Sequence, residues 1–345
     1  MGVSVVIGGQ FGSEGKGKVA YLFAQKLSVS SVVRVGGINS GHTVVDQNGD
    51  IHIFRILPTS AIDKNIVCVL PAGSYLNVAL LFQEIVDSNI DRARIKIHPN
   101  AVIITDELIH SEQDSVLKAR IGSTASGTGI AVSKRVNRCD DILLAKDVEC
   151  LKPFLCDTTE FLRNEIDSGR EILIEGTQGY GLSNLHTPYF PYATSRDTTA
   201  AGFLSEAGLS PFDVTNIIMV VRSYPIRVAG NSGPLPNEIT WEYVTEAAHA
   251  NKPIQEYTSV TKKLRRVAEF DAEIIKKAIA VNRPNIIVMN HMDYIGKTHT
   301  KGRLDQAKKD FIKKVERDIG QQINYIGLNN CSIDALKGDF YGEPY

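Results

Sequence analysis

"VSVVIGG" at residues 3–9 runs straight into "QFGSEGKGKVAYL" at residues 10–22, and the reading of this junction decides the fold. The first run is β-branched and continuously apolar rather than alternating. That is the pattern of a strand buried on both faces, as in a parallel sheet. The second run opens with glycines and lysines and then turns helical. At a strand-to-helix turn, backbone N–H groups and the helix N-terminus favour an anion. Gly12-x4-Gly17-Lys18 matches a phosphate loop, except that Val19 stands where Ser or Thr would hold Mg²⁺. Ser13 raises a second question, because a phosphate-handling site would more obviously carry a carboxylate there.

Further β-branched runs follow at 32–35, 66–70, 94–97, 102–104, 171–176, 216–221 and 285–290, most of them continuously apolar. Helical patterns lie between them. In "RLDQAKKDFIKKVERDI" (303–319), Leu304, Ala307, Phe311, Val315 and Ile319 recur at 3–4 spacing, which predicts one buried face with the lysines turned outward. Alternating strands and helices predict an α/β fold, with a large, mainly parallel central β-sheet flanked by helices. We find no repeat, low-complexity tract or linker-like shift, so residues 1–345 read as a single domain. Segments of about 121–138, 176–202 and 257–266 are too long and polar to be simple connectors, and are expected to be active-site loops.

The chain has 345 residues, 43% hydrophobic and 22% charged, an ordinary globular composition. A formal net charge of −1 argues against a nucleic-acid-coating protein, which needs a basic footprint. No apolar run reaches the ~18–20 residues that would cross a bilayer. The opening residues lack a basic segment followed by an apolar one, so no secretory signal and a cytoplasmic location (the host cytoplasm, if a phage carries the gene) are expected. Cys68, Cys139, Cys150, Cys156 and Cys331 form no C-x-x-C pair, and read as reduced structural thiols rather than metal or redox ligands.

The remaining motifs fall near strand ends, where α/β proteins bind ligands. "NSGHTV" (39–44) places His42 beside Gly41, where it can donate to a developing oxyanion or phosphate. "IGSTASGTGIAVSKRVNR" (121–138) offers hydroxyls and amides to a second phosphate, or is a surface loop. In "EGTQGYG" (175–181), Gln178 carries both a donor and an acceptor and can read a carbonyl or amide edge. "PYATSRDTTAAG" (191–202) offers Thr194 and Ser195 to a phosphate. "YTSVTKKLRR" (257–266) sets four cations behind hydroxyls, which suits a dicarboxylate or a phosphate. Asp293 of "NHMD" (290–293) either reads a purine amide edge or caps a helix.

Taken in order, GSEGKGK, NSGHT, the glycine-rich loop ending in Arg138, EGTQG, PYATS, RSYPIRVAG, the 257–266 loop and NHMD resemble the adenylosuccinate synthetase family along nearly the whole chain. The resemblance implies a ligase that phosphorylates the 6-oxygen of a purine nucleotide and displaces that phosphate with the amino group of aspartate. It also implies Mg²⁺ and a homodimer. Gly12, Glu14, Gly15, Lys16, Gly17, Lys18, Gly41, His42, Thr43, Asn290 and Asp293 then match the triphosphate site. Ser13, His42, Gln178 and Lys16 match the catalytic set, with Ser13 and the Gly41 carbonyl at the metal. Ser13, Asn39, Ser123, Thr124, Gln178, Thr194 and Val228 match monophosphate-nucleotide contacts, and Arg138 matches an arginine that reaches the nucleotide from a partner subunit. Ser259, Val260, Thr261, Lys263 and Arg265 match the aspartate loop, which Val228 also adjoins.

The chain departs from the family pattern at informative places. The family's G-D-E-G-K-G-K has its aspartate, the base for the purine N1 proton, where Ser13 stands here. A hydroxyl is a poorer base and a weaker Mg²⁺ ligand, but it is small and leaves room for a 2-amino group. In this the chain is most similar to the family's phage branch, the 2-aminoadenylosuccinate synthetases. The resemblance to that branch implies dGMP, L-aspartate and ATP (or dATP or GTP) as substrates. Lys263 replaces an arginine near the ribose, "LNN" (328–330) replaces T-G-P, and His291 replaces a lysine, which weakens the expected guanine clamp and favours ATP over GTP. The alternatives are an ordinary synthetase using IMP and GTP, and a non-catalytic nucleotide sensor.

Overall fold

The computed structural model describes residues 2–258, 263–297 and 304–336, without the side chains of residues 117 and 118. Nine strands form the central sheet: β1 (Val3–Gly8), β2 (Ser31–Arg34), β3 (Val67–Leu70), β4 (Ile95–Ile97), β5 (Ile172–Glu175), β6 (Val214–Arg222), β7 (Ile286–Asn290), β8 (Tyr325–Ile326) and β9 (Asp334–Ala335). Their spatial order is β9-β8-β7-β6-β1-β5-β2-β3-β4, and every pairing is parallel except β8 with β9. β1, β2 and β5 are buried at every position, which is why they read as unbroken apolar runs.

Because the central strands are parallel, their C-terminal ends share one edge of the sheet. Five of them end there, at Gly8, Arg34, Glu175, Arg222 and Asn290. Arg34 pairs with Glu175 across the ladder, and Arg222 with Asn290. β1 lies between β5 and β6, while the helix that follows it leads to β2, beyond β5. This is a crevice of the kind in which open α/β sheets bind ligands.

Several expectations need correction. Val102–Ile103 is not in the central sheet, and pairs in parallel with Tyr75–Leu76. Helices α1 (Lys16–Lys26) and α2 (Val78–Asp87) lie earlier in the chain than the 121–138 segment; within it, Ile121 ends a short helix (Leu117–Ile121), residues 122–127 are loop, and α3 (Thr128–Val136) takes the rest except residues 137 and 138. The last helix, α4 (Gln306–Ile319), buries Lys308, Ile312, Val315 and Ile319, while Ala307 is exposed. Lys308 is thus an inward lysine: its ammonium donates to the Lys297 carbonyl at 2.8 Å and lies 3.4 Å from Asp305. That satisfied carbonyl explains why a lysine occupies a face that sequence spacing gave to Ala307. Asp293 caps no helix, and sits within a 3-10 turn (Met292–Tyr294) whose N-cap is His291. Among the described residues no helix is long and apolar enough to cross a membrane.

Candidate active site

α1 begins with Gly15 at its N-cap, and no side chain caps it. Its first-turn amides therefore remain available, and the helix dipole adds partial positive charge there. Lys16 and Lys18 stand in the same turn with no acidic residue among them. Cations at a helix N-terminus are unfavourable alone, and an anion resolves the conflict. Gly15 has φ +85, and a Cβ there would stand 2.7 Å from Asn290 Nδ2, so glycine is required on both counts. Asn290, at the end of β7, donates to the Glu14 carbonyl at 2.7 Å and so braces the loop from below.

Glu14 is fully buried. Its carboxylate accepts from the amides of Gln10 and Gly12 at 3.2 and 2.8 Å, and from Lys16 Nζ at 2.7 Å. The side chain therefore shapes the loop and holds Lys16 rather than facing a phosphate. Lys18 Nζ donates to the Asn329 carbonyl at 2.7 Å, and burial lowers its pKa to about 8 despite Asp293 nearby.

Ser13 is exposed, in the left-handed region at φ 58. Two arginines hold it: Arg265 Nη1 donates to its hydroxyl, and Arg222 Nη1 to its carbonyl at 3.0 Å. Arg222 is wholly buried and pairs with Glu256, Nη1 to Oε2 at 3.2 Å, while Tyr294 donates to the same carboxylate at 3.0 Å. Burial pushes Glu256 up, but Arg222, His291 and Arg265 together outweigh it and hold the carboxyl at about 2. Gln178 also has a left-handed backbone, at φ 57, and its Oε1 is 3.6 Å from where a Gly12 Cβ would stand. The loop crest and the glutamine thus share one end of the cleft.

His42 opens an antiparallel hairpin, His42–Val45 with Ile51–Phe54, rather than closing a sheet strand. Its ring is buried, with Nδ1 2.5 Å from Glu175 Oε1 and 3.1 Å from Arg34 Nη1. Burial and the Arg34 guanidinium pull the imidazole down to about 4, against the Glu175 carboxylate. His42 Cβ and the Thr43 carbonyl lie 2.9 and 3.0 Å from a Cβ built on Gly17. Asn39 Nδ2 donates to Thr194 Oγ1 at 3.4 Å, joining two expected nucleotide contacts.

Other expected residues make their contacts elsewhere. Ser123 donates to Glu112 Oε1 at 3.3 Å, and Thr124 is bonded to Ser126. The turn that follows Val228 reaches the helix that leads into this loop, since Asn231 Nδ2 donates to the Arg120 carbonyl at 2.7 Å. Arg138 is exposed just beyond α3, and Lys263 is exposed. His291 is drawn down to about 3 by burial and by Arg222. Ser259, Val260 and Thr261 lie outside the described residues.

Arg34 and Glu256 are absent from the expected set, and Glu175 and Arg222 enter it only as the first letters of motifs. The signal for three of them is a single charge closing an apolar strand, in "SVVR", "ILIE" and "IIMVVR". Glu256 carries no such mark.

The cysteines are free, and the described residues hold no cluster of three His, Cys, Asp or Glu side chains fit for a metal. Ser13 Oγ and the Gly41 carbonyl are hard, neutral oxygens. Arg265 already donates to the Ser13 hydroxyl, so the Gly41 carbonyl is the oxygen that fits a Mg²⁺ ion which keeps water and takes the rest of its shell from substrate phosphates.

Residues 5–148 and 141–300 match the family model described as adenylosuccinate synthetase. The adenylosuccinate synthetase of Methanocaldococcus jannaschii is 35% identical over 331 residues, covering 94% of this chain and 93% of its own. The chain belongs to the adenylosuccinate synthetase family. It is therefore a C–N bond-forming ligase of purine biosynthesis that binds nucleotides. Two solved structures share its fold. The succinoaminodeoxyadenylate synthetase (PurZ) of cyanophage S-2L, bound to dGMP and to dATP as an energy donor, superposes with a TM-score of 0.81 at 27% identity, covering 97% of this chain and 95% of that one. The fully ligated adenylosuccinate synthetase of Plasmodium falciparum gives a TM-score of 0.84 at 20% identity, over 98% and 100% of the two chains.

Proposed function

We propose that this member of the adenylosuccinate synthetase family condenses L-aspartate with dGMP, using ATP, to give N6-succino-2-amino-dAMP for 2-aminoadenine DNA. The observation that carries the reading is Ser13. A serine hydroxyl has one proton and two lone pairs, and Arg265 uses one lone pair. The second lone pair is free to accept from a 2-amino group, and the side chain is smaller than the aspartate of the family pattern. The structural neighbour from cyanophage S-2L, bound to dGMP, supports the same reading.

The chemistry follows from the leaving group. A purine 6-oxo group behaves as an amide carbonyl and leaves badly, whereas a 6-phosphoryl ester leaves well. The first-turn amides of α1, with Lys16 and Lys18, offset charge on the transferring phosphoryl. His42 and Gln178 attend the 6-oxygen. Asn39, Thr194, Ser123, Thr124 and Val228 hold the nucleotide, with Arg138 contributed across a homodimer. Arg265 and Lys263, with residues 259–261, take the carboxylates of aspartate. Mg²⁺, bound on the phosphates near Ser13 and Gly41, would supply further charge neutralisation. Lys18, with its proton only loosely held, and Asp293 stand at the donor nucleotide, where ATP is favoured over GTP.

The curated relatives support a second reading, IMP with GTP, since they bear the name of the ordinary enzyme. Phosphate release and product mass separate the two. The reading requires release only when dGMP, ATP and aspartate are all present, with a succinylated 2-aminopurine deoxynucleotide as product. Nucleotide binding without turnover of any purine monophosphate would overturn it.

A further inference from the structure

Glu175 closes β5 with its carboxylate wholly buried. Oε1 meets His42 Nδ1 at 2.5 Å, and Oε2 accepts from the Thr59 amide at 2.8 Å. The Thr59 hydroxyl stands 2.8 Å from the same Oε2 and 2.9 Å from the Gly17 carbonyl in the first turn of α1. The end of a strand, the phosphate-loop helix and the hairpin that carries His42 therefore meet on one carboxylate. The charged groups around the ring are Glu175 from β5, Arg34 from β2 and Lys16 from α1.

An ionised carboxylate only accepts, so a histidine nitrogen facing it carries the proton. With Nδ1–H committed to Glu175, the second ring nitrogen, Nε2, is the one left for chemistry. Arg34 Nη1 lies against the ring, 3.1 Å from Nδ1 and 3.4 Å from Nε2, and also reaches the Gly176 carbonyl at 3.3 Å, so the arginine can leave the ring without losing a partner.

We propose that Glu175 is a positioning residue for this ligase: it fixes the His42 tautomer and ring plane so that Nε2 meets the nucleotide, and through Thr59 it keeps that ring in register with the phosphate loop. The proposal rests on the reading of His42 as the group that attends the 6-oxygen. Glu175→Gln preserves volume while replacing an obligate acceptor with a group that can also donate. We expect kcat to fall about 10- to 100-fold, with KM for the nucleotide and for aspartate held within about twofold, because orientation for the chemical step is lost rather than binding. The nucleotide in this assay is whichever of dGMP and IMP the wild type turns over.

The tautomer is read directly by ¹⁵N NMR on the wild-type chain, with the His42 signal identified by its loss in His42→Gln. We expect a proton on Nδ1 in the wild type and a mixture of tautomers in Glu175→Gln. A wild-type ring protonated on Nε2 alone overturns the proposal, whether or not the variant folds, and so does an unchanged kcat in folded Glu175→Gln. Full activity in His42→Ala is a different failure, since it removes the reading of His42 itself.

Discussion

At the scale of single residues, two side chains at the phosphate loop carry sharp expectations. Ser13 is small and neutral, and it is held between Arg222 and Arg265. An aspartate there fills the space assigned to a 2-amino group and brings a charge that pairs with Arg265. Ser13→Asp should lower kcat/KM for dGMP by about 10- to 100-fold, the range in which pocket shape discriminates related substrates. Steady-state kinetics with dGMP check this, and an unchanged kcat/KM contradicts it. Lys18 is the second. Burial lowers its pKa to about 8, so the free protein loses that proton as pH rises through this value. A bound triphosphate favours the ammonium, so binding above pH 8 must also take up a proton. Triphosphate affinity, measured by calorimetry, should therefore weaken as pH rises above about 8, and a flat profile would remove Lys18 from the site.

At the scale of elements, the junction of β1 with α1 was legible because chain chemistry dictates it: an apolar strand, glycines where the backbone must turn, and lysines in a helical first turn. The central strands were equally plain, since burial on both faces leaves continuous apolar runs. What escaped was non-local. The hairpin that begins at His42 has its strand Ile51–Phe54 exposed, partly exposed, exposed and buried in turn, too weak a pattern to read. In α4 the expected face holds at Val315 and Ile319 but misses at Ala307, where Lys308 turns inward instead, onto a carbonyl that lies eleven positions away in sequence. Glu256 reaches Arg222 only through the fold, and no local spacing announces it. The packing of α1 against the hairpin gives a test at this scale. A Cβ on Gly17 would stand 2.8 Å from Thr59 Cγ2 and 2.9 Å from His42 Cβ. Gly17→Ala gains helix propensity of about 1 kcal/mol but overpacks this contact at a cost of about 1–3 kcal/mol. We expect little or no gain in thermal stability and a clear loss of kcat as His42 is displaced. A stabilised and fully active variant would contradict the packing described.

At the scale of the whole molecule, one partly buried ion pair joins the sheet to the expected substrate loops. Arg222 at the end of β6 pairs with Glu256, just before the segment expected to bind aspartate, and also holds the Ser13 carbonyl. Glu256 is held at about 2, below the ordinary 4.5, so its contribution to stability is complete above pH 4.5 and is lost as pH falls towards 2. The difference in Tm between the wild type and Glu256→Gln should therefore shrink across that window; a constant difference would show that the pairing does not stabilise the fold. The same pair delivers Ser13 to the crest of the site, and the account turns on which purine that crest accepts. The most direct measurement is kcat/KM for dGMP and for IMP on one preparation, with saturating ATP and aspartate and mass detection of the succinylated product. The account predicts that dGMP exceeds IMP by at least about 10-fold; turnover of IMP with none of dGMP would contradict it.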